Sequence, residues 1–334
     1  MEIVRTLPGD TNFYLFENLP KQLYPANSIR HKQSESINKE FLVACFVLTI
    51  NGEAKARVAL YNNPHLSHQD KKAGCIGNYE CVEDNEISKA ILDFVIKEAK
   101  KLAVDFIIGP MNGSTWDNYR FSVHHDSPNF LLEPYHHLYY NQQFSDNGFN
   151  VISEYTSSID KEIPSDHPDL LKREAELIAA GVSIRKINMN DYEGELKKLY
   201  PFITNAFKSN FLYTPIKWET FLVKYLEAGK IINSEYVLIA EDKEGKIIGF
   251  LFSYDDLFNP SEKCLVVKTL ARNESKQWSG LGQVMSNQVV RTVKAKGYKS
   301  MIHAFIIKQG TSRGTSEKFL GKVNKNYVLY GKVL

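Results

Sequence analysis

Val266-Val267-Lys268-Thr269-Leu270-Ala271-Arg272-Asn273-Glu274-Ser275-Lys276-Gln277-Trp278-Ser279-Gly280-Leu281-Gly282 is the stretch on which the fold of this chain turns. It joins an apolar run, residues 263–270, to a segment of helical period. Across 281–296 the residues Leu281, Val284, Met285, Val289, Thr292 and Val293 share one face. Gly297 supplies a stop, and Lys294 and Lys296 suit the negative pole of a helix. A strand that feeds a helix through a glycine-bearing loop is an anion cradle. The first N–H groups of a helix have no intrahelical partner, and the helix dipole puts partial positive charge beside them. Glycines at 280 and 282 allow phosphate oxygens close to the backbone, and Arg272 and Lys276 add charge nearby. The spacing is not G-x-x-x-x-G-K-[ST], which disfavours a nucleoside triphosphate. Nor is it G-x-G-x-x-G opening a βαβ unit, which disfavours a dinucleotide.

Working outward, residues 236–241 and 246–253 read as strands joined by a turn at 242–245, with helical candidates at 192–206 and 218–228 before them and a strand at 299–307 after Gly297. The first half has a similar order. Residues 41–50 form an apolar run, Asn51-Gly52 suits a tight hairpin, and Ala54, Ala56, Val58 and Leu60 then alternate with more polar positions. Strands are expected at 74–82, 104–108 and 149–157, and helices at 87–102 and 139–147. Between the halves, residues 164–180 read as a helix with Leu170, Leu171, Ala175 and Leu177 on its apolar side, stopped by Gly181. The organisation expected is therefore a duplication. Residues 1–160 form one domain, 161–181 a helical connector and 182–334 a second domain.

Composition bounds the functional classes. At 334 residues and 43% apolar residues, the chain can fill two cores. A net charge of +2 with Lys and Arg spread along the chain argues against a nucleic-acid partner. No apolar run reaches membrane-spanning length, and the first ten residues lack the core of a signal peptide. Cys45, Cys75, Cys81 and Cys264 are scattered, as expected for reduced, buried thiols in a cytoplasmic protein. His124-His125-Asp126 and Glu133 with His136-His137 lack metal-ligand spacing, so no metal is expected. A G-x-S-x-G nucleophile elbow is also missing. His303, on the strand at 299–307, reads as a core residue, with a cleft-facing position as the alternative.

Gln277-Trp278-Ser279-Gly280-Leu281-Gly282, in its strand–loop–helix–strand setting, resembles the [RQ]-x-x-G-x-[GA] signature of the GCN5-related N-acetyltransferase (GNAT) superfamily. The resemblance is strongest from 236 to 307. It implies an α/β (α+β) fold class with two GNAT-like domains, each a mixed, mainly antiparallel central sheet flanked by helices. It also implies that acetyl-CoA is the co-substrate, with its diphosphate on the N–H groups around Gln277, Trp278, Ser279, Gly280, Leu281 and Gly282 and the Lys276 charge beside it. The pantetheine would follow the strand edge at Leu270, Ala271 and Arg272. In that family a tyrosine often protonates the leaving thiolate, yet residues 312–321 hold none. The general acid and base are therefore unassigned. An amine near pKa 10 is only about one part in a thousand neutral at pH 7, so some group must take its proton.

The first half lacks the cradle. Its equivalent loop, Glu80-Cys81-Val82-Glu83-Asp84-Asn85-Glu86, has no glycine and four acids, with Asp84 or Asn85 a candidate helix cap. Near its end, Tyr140-Asn-Gln-Gln-Phe144-Ser-Asp-Asn-Gly148-Phe149 resembles a common GNAT ending, which suggests a degenerate copy. In the loop after residue 108, Asn112, Trp116 and Arg120 are candidate substrate contacts, Arg120 for a carboxylate. The expectation is an acetyl-CoA-dependent N-acetyltransferase acting on an amine of a small molecule or peptide. The alternative is a non-catalytic acyl-CoA-binding module. A third reading, aminoacyl transfer from tRNA, would need a basic groove that the composition does not show.

Overall fold

Two units divide the described residues, 1–33, 37–163, 165–308 and 321–334, of the computed structural model. The first comprises Met1–Glu154, Phe211–Thr214 and Lys325–Leu334; the second comprises Tyr155–Asn210 and Pro215–Asn324.

The first unit runs β1 (Glu2–Thr6), α1 (Phe13–Leu23), β2 (Leu42–Ile50), β3 (Glu53–Tyr61), β4 (Lys71–Cys81), α2 (Asn85–Lys100), β5 (Phe106–Gly109) and α3 (Tyr140–Asp146). Strands β1 to β4 are antiparallel neighbours in that order, and β5 lies parallel to β4. The β2–β3 hairpin is closed by Asn51 and Gly52 at φ of 52° and 80°. Such a turn needs positive φ at both central residues, which Asn-Gly tolerates. Helix α2 places Ile87, Ile91, Leu92, Val95 and Ala99 against Phe46, Leu48, Val58 and Leu60 of the sheet. These positions recur at three- and four-residue intervals, so one helical face is buried and the other is solvated.

Strand β6 (Asn150–Asp160) passes from one unit to the other, with residues 155–160 in the second. The second unit continues with α4 (Pro168–Ala179), β7 (Ser183–Lys186), α5 (Tyr192–Phe207), α6 (Trp218–Ala228), β8 (Val237–Glu241), β9 (Ile247–Asp255), β10 (Cys264–Arg272), α7 (Leu281–Ala295) and β11 (Ser300–Ile307). Strands β7 to β10 are antiparallel neighbours, β11 is parallel to β10, and residues 155–160 of β6 run antiparallel to β11. Helix α7 buries Leu281, Val284, Met285, Val289, Val290 and Val293 with Trp278, Leu251, Leu265 and Met301.

Each unit is thus a mixed, mainly antiparallel sheet with helices, and five successive sheet positions repeat with the same directions. The sixth position departs from the boundaries expected from sequence. The last strand, β12 (Lys322–Val333), pairs with β5 of the first unit, with Tyr330 opposite Gly109 and Val333 opposite Phe106. Residues 325–334, expected in the second domain, therefore belong to the first unit, and 155–160, expected in the first domain, belong to the second. Local patterning reports that a strand exists. Which edge it completes is a long-range choice that alternation does not encode. In the connector, Leu177 is buried as expected, whereas Leu171 is exposed. Among the described residues no helix is long and apolar enough to cross a membrane.

Candidate functional site

The second unit contains a place where two parallel strands part. Pairing of β10 with β11 runs from Cys264 opposite Ser300 to Val267 opposite His303. At that point β10 carries an extra residue: Thr269 faces Phe252 and Val267 faces Ser253, which leaves Lys268 as a bulge. A bulge bends its strand and sharpens the local twist. On the other side β11 is irregular too, with Phe305 at φ 60° and its N–H donated to Ser157 Oγ at 3.1 Å. Both strands therefore have a local reason to diverge after Val267 and His303. Burial lowers the pKa of His303 to about 4, so the imidazole at this fork is neutral at pH 7.

Beyond the fork, β10 ends in a loop held by two hydrogen bonds. Asn273 N donates to Ile248 O at 2.8 Å, and Ser275 N to Asn273 Oδ1 at 2.9 Å. A single 3₁₀ turn, Lys276–Trp278, then turns the Trp278 indole into the core. Gly280 follows at φ 84°, in the left-handed region, as the residue preceding α7. The first helical bond is Val284 N to Gly280 O, 3.0 Å. The N–H groups of Gly280, Leu281, Gly282 and Gln283 consequently have no hydrogen-bond partner among the described residues, and no side chain caps the helix. Gly282 serves packing, since a Cβ there would lie 3.2 Å from Leu270 Cδ2. The candidate residues Leu270 to Gly282 thus form one strand end, turn and helix mouth. Leu281 and Trp278 give their side chains to the core, while Arg272, Lys276, Gln277 and Ser279 are exposed. Among the described residues, no side chain bonds the main chain of 269–272. Residues 312–320, the tyrosine-free stretch, lie outside the described residues.

No family model and no curated protein matches the sequence. Solved structures match along nearly its whole length. A GCN5-related N-acetyltransferase from Sphaerobacter thermophilus is 11% identical, with a TM-score of 0.53 over 99% of this chain and 95% of that one. A tandem GNAT protein from the clavulanic acid biosynthesis pathway is 10% identical, with a TM-score of 0.54 over 99% and 98%. A fungal multidomain β-N-acetylglucosaminidase with a GCN5-related glucosamine N-acetyltransferase region is 12% identical, with a TM-score of 0.58. This chain is covered over 99%, but it spans only 38% of that protein. The chain carries a tandem GNAT fold.

The first GNAT unit has the equivalent end of strand pairing, but its fork is narrower, with Met111 N still donating to Ile76 O at 2.7 Å, and it is closed further by side chains. Pairing of β4 with β5 ends at Cys75 opposite Ile108, and β4 also bulges: Arg57 faces Glu80 and Ala59 faces Gly77, one residue more on β4 than on β3. Past the fork, however, the edge of β4 is occupied. Tyr140 Oη accepts from Cys81 N at 3.2 Å and donates to Glu80 Oε2 at 2.8 Å. Tyr139 Oη donates to Cys81 O at 2.9 Å, and Gln143 Nε2 to Val82 O at 2.9 Å. The helix mouth is capped as well, because one Asp84 carboxylate oxygen accepts from Glu86 N and Ile87 N at 2.9 and 3.0 Å. Of the two caps considered from sequence, Asp84 is the one used. The plug residues sit in the segment whose GNAT-like ending was legible, but their inward bonds were not.

The three substrate candidates lie in the first unit, where Asn112 and Trp116 make structural hydrogen bonds. Asn112, buried, accepts Asn78 N on its Oδ1 at 2.9 Å and packs over Gly77, where any Cβ would collide. Trp116 Nε1 donates to Thr214 O at 2.8 Å. Arg120 is buried, with its guanidinium 3.8 Å from the Tyr119 ring centroid. His136 is likewise internal: Ser122 N donates to its Nε2 at 2.7 Å. No group of three His, Cys, Asp or Glu side chains among the described residues is arranged to hold a metal.

Proposed function

We propose that the second GNAT unit binds acetyl-CoA and transfers its acetyl group to an amine of a small molecule or peptide, while the first unit binds no acyl-CoA. The observation that carries this is the open helix mouth at Gly280–Gln283 beyond a bulged, parting strand pair. Four aligned N–H groups at the positive end of α7 suit a diphosphate. The strand end at Leu270–Arg272 leads to that mouth and suits an extended amide chain, and the fork after Val267 suits the thioester. The reaction that follows is aminolysis. The neutral amine nitrogen attacks the thioester carbonyl, the C–S bond breaks, and the CoA thiolate takes up a proton. Polarisation of the carbonyl by a fixed N–H lowers the barrier as negative charge grows on its oxygen. The closed strand edge and self-capped helix of the first unit support a structural role for it.

Calorimetry with acetyl-CoA tests the binding, and thiol release with a panel of primary amines tests the transfer. Failure of the wild-type protein to bind millimolar acetyl-CoA would end the proposal. Binding without thiol release from any amine would favour the non-catalytic acyl-CoA-binding alternative, which the missing tyrosine in 312–320 supports.

A further inference from the structure

We infer that Arg173, on α4, is a positioning residue that aims the helix-mouth N–H groups of the second unit. The inference rests on the diphosphate reading above. Arg173 Nε donates to Ser279 O at 2.8 Å and Nη2 to Gln277 O at 2.6 Å. Its Nη1 is turned the other way, to Glu176 Oε2 at 2.9 Å on the same helix. One planar guanidinium therefore grips two carbonyls of the loop from behind.

The peptide link explains the consequence. In a planar trans peptide the C=O and the following N–H point in opposite directions. Holding Ser279 O toward Arg173 therefore aims the Gly280 N–H away from the arginine. Without that grip the 279–280 peptide could rotate and offer an anion its carbonyl oxygen instead. Gly280 is needed here for two reasons. Its φ of 84° is costly for other residues, and a Cβ would lie 3.1 Å from Arg173 Cγ. The loop, the glycine and the arginine stem thus fit as a set.

Arg173 is a scaffold rather than a phosphate ligand on this geometry. Three of its five N–H donors are spent on the loop and on Glu176, whose carboxylate offsets its charge. Its helix is registered on α7 by the neighbouring residue. Glu174 receives Arg291 Nη1 and Nη2 at 3.1 and 2.7 Å and Gln288 Nε2 at 2.8 Å. A lysine at 173 would keep the charge but lose the fork that spans two carbonyls.

The test compares wild type, Arg173→Ala and Arg173→Lys in the full chain. CoA affinity is measured by calorimetry, and hydrogen exchange is measured with and without CoA. The expected result is a loss of about tenfold or more in CoA affinity for Arg173→Ala, the scale of losing hydrogen bonds to an ionised group. Arg173→Lys should recover part of it. CoA protection of residues 276–284 should fall, while exchange elsewhere in the unit stays at the wild-type rate. Equal CoA affinity in wild type and Arg173→Ala would overturn the inference, as would a variant whose whole second unit exchanges faster. Absence of CoA binding by the wild type would instead remove the reading on which the inference rests.

Discussion

Lys325 Nζ donates to Glu133 Oε2 at 3.1 Å with both side chains fully buried in the first unit. The same ammonium donates to Ser127 O at 2.9 Å, Tyr327 Oη donates to Glu133 Oε1 at 2.9 Å, and Phe130 N donates to Glu133 Oε2 at 3.2 Å. Burial raises the Glu133 pKa, and the Lys325 charge works against that rise. The pair fixes the start of the strand segment that completes the first sheet. Lys325→Met would strand a buried carboxylate, at a cost of roughly 3–5 kcal/mol. Denaturant unfolding of the single variant should show that loss. The double variant Lys325→Met, Glu133→Gln should be less damaged than the single one, since no lone charge is left inside.

Gly280 and Gly297 bracket α7 with similar backbone angles, φ 84° and 75°. An alanine at either position pays about 1–2 kcal/mol in the left-handed region. Only at 280 does a Cβ also meet a neighbour, Arg173 Cγ; at 297 nothing lies within 4 Å. Gly280→Ala should therefore weaken CoA binding, while Gly297→Ala lowers the melting temperature and leaves affinity unchanged. Equal CoA affinities in the two variants would contradict a ligand at the 280 end of the helix.

Much of this arrangement was legible in the sequence because it is local. The Asn51-Gly52 turn, the periodic face of α7 and the glycine-bearing loop each depend on residues a few positions apart. Asp84 was visible as a cap for the same reason. The destination of β12 was not, since Lys325 and Glu133 are joined only by the folded chain. Nor was Arg173. Within its own segment it reads as an ordinary polar position on an amphipathic helix, and its partners are carbonyls more than a hundred residues away. The inward turn of Trp278 was missed because a loop residue beside a cradle gives no sign of which side it faces. β1 and α1 also escaped the sequence reading. β1 has five residues, and α1 contains Pro20, which argues against a helix interior.

Two similar units with one open mouth imply a stoichiometry. In the first, Tyr139, Tyr140 and Gln143 occupy the strand edge and Asp84 occupies the helix start. Calorimetric titration should give one CoA per chain. Asp84→Ala should cost about 1 kcal/mol through loss of the cap and leave CoA affinity at the wild-type value. A second equivalent of CoA bound by the wild type would show that the first unit opens in solution, and one gained only in Asp84→Ala would show that the cap alone keeps it shut.

Acid should destabilise the first unit through His136. Its Nε2 accepts the Ser122 N–H at 2.7 Å, so the ring proton sits on Nδ1, 3.0 Å from His137 O. Protonating Nε2 would break the first of these bonds and place a charge in the interior. Burial accordingly lowers the folded-state pKa to about 3, against an ordinary value of 6.5. Between those values the unfolded chain binds a proton that the folded chain does not, so stability rises with pH across that window. The contribution is complete above pH 6.5 and is lost as pH falls toward 3. In mid-window one such histidine gives a slope of about 1.4 kcal/mol per pH unit. His125, in the same unit and lowered to about 4 by burial, should add to the slope. His136→Gln keeps a side-chain acceptor but cannot titrate. Urea unfolding from pH 4.5 to 6 should give a shallower pH dependence for this variant by about one proton; an unchanged slope would mean that His136 is already protonated in the fold.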